Sequence, residues 1–192
     1  MLKTLVMQLQ ELLVCLLKAA EKAACIARAC REEEALFQLL VEEKTGTEKN
    51  AKFEQDFKTL ADVLIQETVK HEVGKAFPEL EESILGEESN KFTNKLGNCL
   101  TVEVKDTMEE TKELLVKVLD NNQIAASLLA QQVHAEVSLD TNTLEGQSCE
   151  CSLVDLAVWI DPIDATSQYI KGGEGYDEEG LPIKGPELQK SI

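Results

Sequence analysis

The first 42 or so positions set apolar and polar residues at the period of a helix. Leu5, Leu9, Leu12, Leu16, Ala20, Ala23, Ala27 and Cys30 recur at three- and four-residue steps, which predicts one continuous apolar face. Ala19, Ala20, Ala23, Ala24, Ala27 and Ala29 favour the helix and let a neighbour pack closely. The block Arg31-Glu32-Glu33-Glu34 predicts a bend, then a second helical piece from Ala35 to about Glu43 and a loop over Lys44-Thr45-Gly46-Thr47. Thr59 has the chemistry of an N-cap for a helix from about Leu60 to Phe77, with Pro78 just past its end. Two more helices are predicted over 108–121 and 122–136, separated at Asp120-Asn121-Asn122. Two short apolar runs, Ser83–Gly86 and Leu153–Ile160, read as strands. Both stop abruptly at acids, Glu87-Glu88 and Asp161. The stretch 140–152 is polar and loop-like, and the glycine-rich 173–192 reads as a loop-like tail. Two strands among five or so helices make an unbalanced domain. The pattern predicts the front part of a larger α/β or α+β fold.

Composition narrows the partners. A chain of 192 residues, 43% hydrophobic, suits one domain or a large piece of one. Aromatic residues make up only 4%, so the core must be built from Leu, Val, Ile and Ala. A net charge of −17 argues against nucleic acid and against an anionic membrane surface. A phosphorylated ligand would therefore need its charge neutralised by something other than the chain, and bound metal ions are the usual device. Cys15, Cys25 and Cys30 fall in the amphipathic N-terminal segment, where a reduced thiol acts as a small apolar group. Cys149-Glu150-Cys151 is the one close pair, and no second pair or nearby His completes a zinc set. Gln8, Gln10 and Glu11 break the apolar start, so it does not read as a signal peptide, and Leu12–Leu17 is too short to span a bilayer. A cytoplasmic protein without membrane insertion is expected.

The candidate chemistry lies where the strands end. Asp161 follows an apolar run, and Pro162 holds it extended. Asp164 comes at the next turn, and Thr166 adds a hydroxyl close to a predicted helix start, whose free N–H groups suit a phosphate. Glu87-Glu88 ends the other strand, and Asp62 sits in the first turn of the helix capped by Thr59. Converging carboxylates repel unless a cation lies between them, and hard oxygen donors suit magnesium. Two such ions support phosphate-ester hydrolysis. The same residues also fit a plainer description: Asp-Pro and Asp-Ala are ordinary turn pairs, Glu-Glu is a common solvated strand end, and the two threonines are simple caps.

Taken in order, Asp62, Gly86-Glu87-Glu88-Ser89 and Asp161-Pro162-Ile163-Asp164-Ala165-Thr166 resemble the lithium-sensitive, magnesium-dependent phosphomonoesterases, the superfamily of inositol monophosphatase and fructose-1,6-bisphosphatase. The flanking stretches AACIARACREEEALFQLLVEEK (23–44), DFKTLADVLIQETVK (56–70), ILGEESN (84–90) and WIDPIDATSQYIKG (159–172) are similar to the branch that acts on inositol polyphosphates. The resemblance implies a layered α/β sandwich of the inositol monophosphatase type and a small-molecule inositol polyphosphate substrate. It implies magnesium as cofactor and lithium as inhibitor. Glu87, Asp161 and the Ile163 carbonyl would hold a first magnesium. Asp161 and Asp164 would share a second, and Glu88 would support the cluster. Asp62, directly or through Thr59, and Thr166 would orient a water, while Ala165 and Thr166 N–H groups, beside Asp164, would grip phosphate.

The family's later WD motif has no counterpart: Trp159 is the one tryptophan, and Asp177 the one aspartate after Asp164. Residues 1–172 are therefore expected to form the N-terminal part of an incomplete phosphatase-like domain, with impaired turnover. The final GPELQKSI is unmatched, as a frameshift or splice read-through would leave it. A second expectation stands beside this one: a catalytically inactive, acidic helical fragment that binds a metal or a protein.

Overall fold

The structure is a computed structural model that describes residues 6–32, 37–52, 54–139, 150–152, 155–172, 175–176 and 182–183. Its core is helical. Helix α1, Leu9–Arg31, buries Leu12, Ala23, Ala27 and Cys30 of the stripe that the spacing predicts, together with Ala19 and Ile26, while Leu9, Leu16 and Ala20 are half-buried. It packs on α2, Leu60–Ala76, and on α4, Gln123–His134, which also holds α3, Met108–Val118. The small side chains of Ala19, Ala23 and Ala27 allow that close approach. The predicted break between α3 and α4 is present. Asp120 and Asn121 take left-handed backbone there (φ 50° and 61°), a conformation that short polar side chains tolerate best after glycine.

Helix α2 is the central element. Ten of its residues are buried, including the polar Asp62, Gln66 and Thr68, so it is enclosed on nearly every side. Its start follows the predicted chemistry: the Thr59 hydroxyl accepts the Asp62 N–H, and the Asp62 carboxylate accepts the Thr59 N–H in return. Pro78 opens a short 3-10 turn, Pro78–Ser83, just beyond its end.

Strands are more numerous and shorter than predicted. Ten of them form five two-stranded pairs among the described residues. Val6–Gln8 (β1) pairs antiparallel with Glu150–Ser152 (β7), so neither stretch follows its expectation of helix and loop. Val41–Glu43 (β2) pairs antiparallel with Phe57–Thr59 (β3), so the helix expected over 35–43 ends early: Gln38–Leu40 is a 3-10 turn and Val41–Glu43 is a strand. The reason is tertiary. Thr59 must be extended to cap α2, and the chain before it offers a free edge that Val41 covers from the buried side. Ile84–Gly86 (β4) runs parallel to Val158–Ile160 (β8), which is shorter than the predicted 153–160 strand. Lys91–Thr93 (β5) and Cys99–Thr101 (β6) form a hairpin. Thr166–Lys171 forms a short α5. The tail predicted as loop contains a further pair, Gly175–Tyr176 (β9) with Pro182–Ile183 (β10). Glu33-Glu34, Cys149, Leu153, Asp177 and GPELQKSI lie outside the described residues. The architecture is helix-rich with small sheets, compatible with an α/β phosphatase fold.

Candidate active site

The parallel pair β4–β8 does for the acids what spacing alone does not. Gly86 faces Ile160 in register, so the next residues, Glu87 and Asp161, emerge side by side at the carboxyl ends of both strands. The Glu87 N–H donates to the Ile160 carbonyl at 3.0 Å and ties the two ends together. Ligands of parallel sheets bind at this end of the strands. Partial burial and the nearby Asp161 both push the Glu87 carboxyl above its ordinary range. Two carboxylates held this way repel unless they share a proton or a cation.

On the other side, the buried Asp62 carboxylate accepts from the Thr59 N–H at 2.7 Å and the Thr59 hydroxyl at 2.6 Å. Burial pushes it up to about 7, against the pull of the Thr59 hydrogen bonds. Thr166 joins this group to the DPIDAT turn. Its hydroxyl lies 3.1 Å from the Ile163 carbonyl and 3.5 Å from Asp62 Oδ1. A hydroxyl carries one proton, so the nearer carbonyl takes it, and the longer contact strengthens if Asp62 is protonated and donates. Ala165 precedes α5 in left-handed backbone (φ 57°, ψ 51°), which costs a residue with a Cβ about 1–2 kcal/mol. Such strain is characteristic of functional turns.

Lys44 is the site residue that the sequence analysis does not single out. Its ammonium is buried and lies 2.5 Å from Glu88, 3.8 Å from Asp56 and 3.9 Å from Glu87. Burial disfavours its charge, but the hydrogen bond to Glu88 and the surrounding carboxylates hold it above its ordinary range. Glu88 is raised as well, because its own burial outweighs the help from Lys44. Lys44 is therefore a firm cation, and Glu88 is the costlier partner. A run of charges beginning EEKT at the end of a predicted helix gave no signal of this. Only the β2–β3 pairing and the Lys44 N–H to Asp56 carbonyl bond (2.7 Å) turn the side chain inward.

The structure thus brings together Asp62, Thr59 and Thr166, and separately Glu87 and Asp161, with Glu88 turned toward Lys44. Asp164 is exposed on the turn between them. Among the described residues no three His, Cys, Asp or Glu side chains converge as a ready metal cage. The donor set nevertheless fits a magnesium ion. It is all oxygen, and the Glu87–Asp161 repulsion is the kind that a divalent cation removes. Cys30 is buried with its thiol pushed up to about 12, so it packs rather than reacts. No described helix is long and apolar enough to cross a membrane.

A buried acid–threonine pair and, separately, two carboxylates set side by side at a parallel strand end are the kinds of donor a metal-assisted hydrolase uses. Comparison with known proteins gives that class a relation. The chain is 55% identical over 164 residues to inositol polyphosphate 1-phosphatase of Mus musculus, covering 85% of this chain and 41% of that protein. It is 54% identical over 157 residues to the Homo sapiens enzyme, and 52% identical over the same length to that of Bos taurus, covering 82% of this chain and 39% of each. Over most of its own length the chain is therefore similar in sequence to inositol polyphosphate 1-phosphatases. It spans about two fifths of the length of the curated relatives it matches. No protein-family model matches it.

Proposed function

We propose that this chain carries the front part of a magnesium-dependent, lithium-sensitive site that hydrolyses the 1-phosphate of inositol polyphosphates, Ins(1,4)P2 and Ins(1,3,4)P3, in the cytoplasm. The framework would be the layered α/β sandwich of the inositol monophosphatase type. The observation that supports this reading most is the Gly86–Ile160 register, which sets Glu87 beside Asp161.

In this reading Glu87, Asp161 and the Ile163 carbonyl would hold one ion, Asp161 and Asp164 would serve a second, and Glu88 would support them from its pair with Lys44. Magnesium when bound supplies positive charge at the acids and lowers the pKa of a nearby water. Asp62, poised near neutrality and held by Thr59, accepts a proton from that water, directly or through Thr59. Thr166, whose hydroxyl lies 3.5 Å from Asp62 Oδ1, would orient the water with it. The N–H groups of Ala165 and Thr166, beside Asp164, receive the phosphate. The similarity to curated phosphatases favours this over an inactive acidic interaction module.

The test is phosphate release from Ins(1,4)P2 by the 192-residue chain with magnesium, with and without lithium. Slow, magnesium-dependent release that disappears in Asp161→Asn and Glu87→Gln supports the reading. A chain that releases no phosphate and binds no divalent ion contradicts it.

A further inference from the structure

Gln66 is fully buried on α2, one helical turn beyond Asp62. Its side-chain amide pairs with both main-chain groups of a single residue. Oε1 accepts the Glu88 N–H at 2.8 Å, and Nε2 donates to the Glu88 carbonyl at 2.6 Å. The remaining amide proton reaches Glu67 Oε1 at 3.3 Å. Glu88 lies past the last ladder pair of β4, so the glutamine supplies the main-chain partners that a neighbouring strand otherwise would. Gly86 is part of the same arrangement. A Cβ at that position would sit 2.0 Å from Gln66 Oε1, so the strand end must lack a side chain for the amide to lie against it.

We propose that Gln66 is a positioning residue: it fixes the backbone through Glu87 and Glu88, and so aims Glu87 at Asp161 and Glu88 at Lys44. Helix α2 then presents two functional groups on one face, Asp62 toward the water and Gln66 toward the acids, because residues four apart project together. The metal consequence rests on the phosphatase reading above, while the hold on the turn does not. Partners that orient ligands from behind are worth about 10–100-fold in metal affinity.

Gln66→Met keeps the length and bulk of the side chain and removes its hydrogen bonds. On the full chain three quantities are read: hydrogen exchange at the Glu88 amide, the thermal midpoint, and Mn2+ affinity by electron paramagnetic resonance. The expected result is Glu88 exchange faster by about 100-fold with α1 amides still protected, and Mn2+ affinity weaker by roughly tenfold or more. Gly86→Ala, which drives the amide away, should do the same and decides the matter if Gln66→Met fails to fold. Adding Gln66→Ala to Gly86→Ala removes the clashing atoms, and should recover the thermal midpoint without recovering Mn2+ affinity. A residue that only filled and satisfied the core would recover both. Unchanged Glu88 exchange, or wild-type Mn2+ affinity in Gln66→Met, overturns the inference. A wild-type chain with slow Glu88 exchange that takes up no Mn2+ removes the phosphatase reading instead, and the exchange comparison alone then decides the hold of Gln66 on the turn.

Discussion

The Lys44 ammonium sits 2.5 Å from the Glu88 carboxylate, and both side chains are more than nine-tenths buried. Removing one member of such a pair strands the other charge away from water. Lys44→Met should therefore lower stability by about 3 kcal/mol, read as a lower urea midpoint at neutral pH. Lys44→Met combined with Glu88→Gln should regain most of that loss. A single variant as stable as the parent would show that Glu88 escapes to solvent.

Asp62 gives the protein a pH dependence of definite sign. Its folded-state carboxyl titrates at about 7, above its ordinary value of 3.8, so the folded chain holds the proton more tightly than the unfolded chain. Stability should fall as pH rises between those two values and stay low above the upper one. Asp62→Asn keeps the cap acceptor and abolishes the titration. Its stability, read from the thermal midpoint, should fall less steeply than the parent's from pH 4.5 to 8, the remaining slope coming from Glu87 and Glu88, and at pH 8 it should exceed the parent by on the order of a few kcal/mol. The same variant should release no phosphate from Ins(1,4)P2.

Asp161→Asn should act in opposite directions with and without metal. In chelator the change relieves the repulsion on Glu87, and the thermal midpoint should rise slightly. The gain is about 0.5 kcal/mol or less, because both carboxylates are partly solvated. Added magnesium should raise the midpoint of the parent and leave the variant where it was. Equal response of both chains would place the ion elsewhere.

Gly172 closes α5 in left-handed backbone (φ 64°), and Arg31 packs over it, donating to the Tyr169 and Ile170 carbonyls at 2.6 and 3.0 Å. A Cβ there would lie 2.1 Å from the guanidinium. Gly172→Ala should cost about 1–2 kcal/mol from the backbone alone, and more from displacing Arg31. Limited proteolysis should then cut near α5 sooner than in the parent. Unchanged cleavage would show that α5 holds without this anchor.

How far the chain can be read in advance depends on the range of the interaction. The Thr59 cap, the extent of α2 and the break at Asp120-Asn121 are local, written within four or five residues, and they appear as expected. The ends of β4 and β8 were also visible, because each apolar run stops at an acid. The register that joins them was not, since nothing near Gly86 names Ile160 as its neighbour. Val41–Glu43 misled for the same reason: helical spacing carries on into it, and only the edge of β3 makes it a strand. Lys44 and Gln66 were missed because a lysine in a charged run and a glutamine in a helix read as surface until the burial of their tips is known.

The β4–β8 register has a consequence for how the molecule comes to exist. Glu87 and Asp161 are more than seventy positions apart, so their meeting closes a long loop, whereas the pairing of α1 with α2 and of α3 with α4 comes from nearer contacts. A chain that has collapsed but not yet zipped these two strands has the helices and lacks the acid pair. A divalent ion that binds the pair would therefore select the finished chain over its precursors and draw the population toward it. Metal uptake would then serve as a clock for the last step of folding, before any substrate is involved.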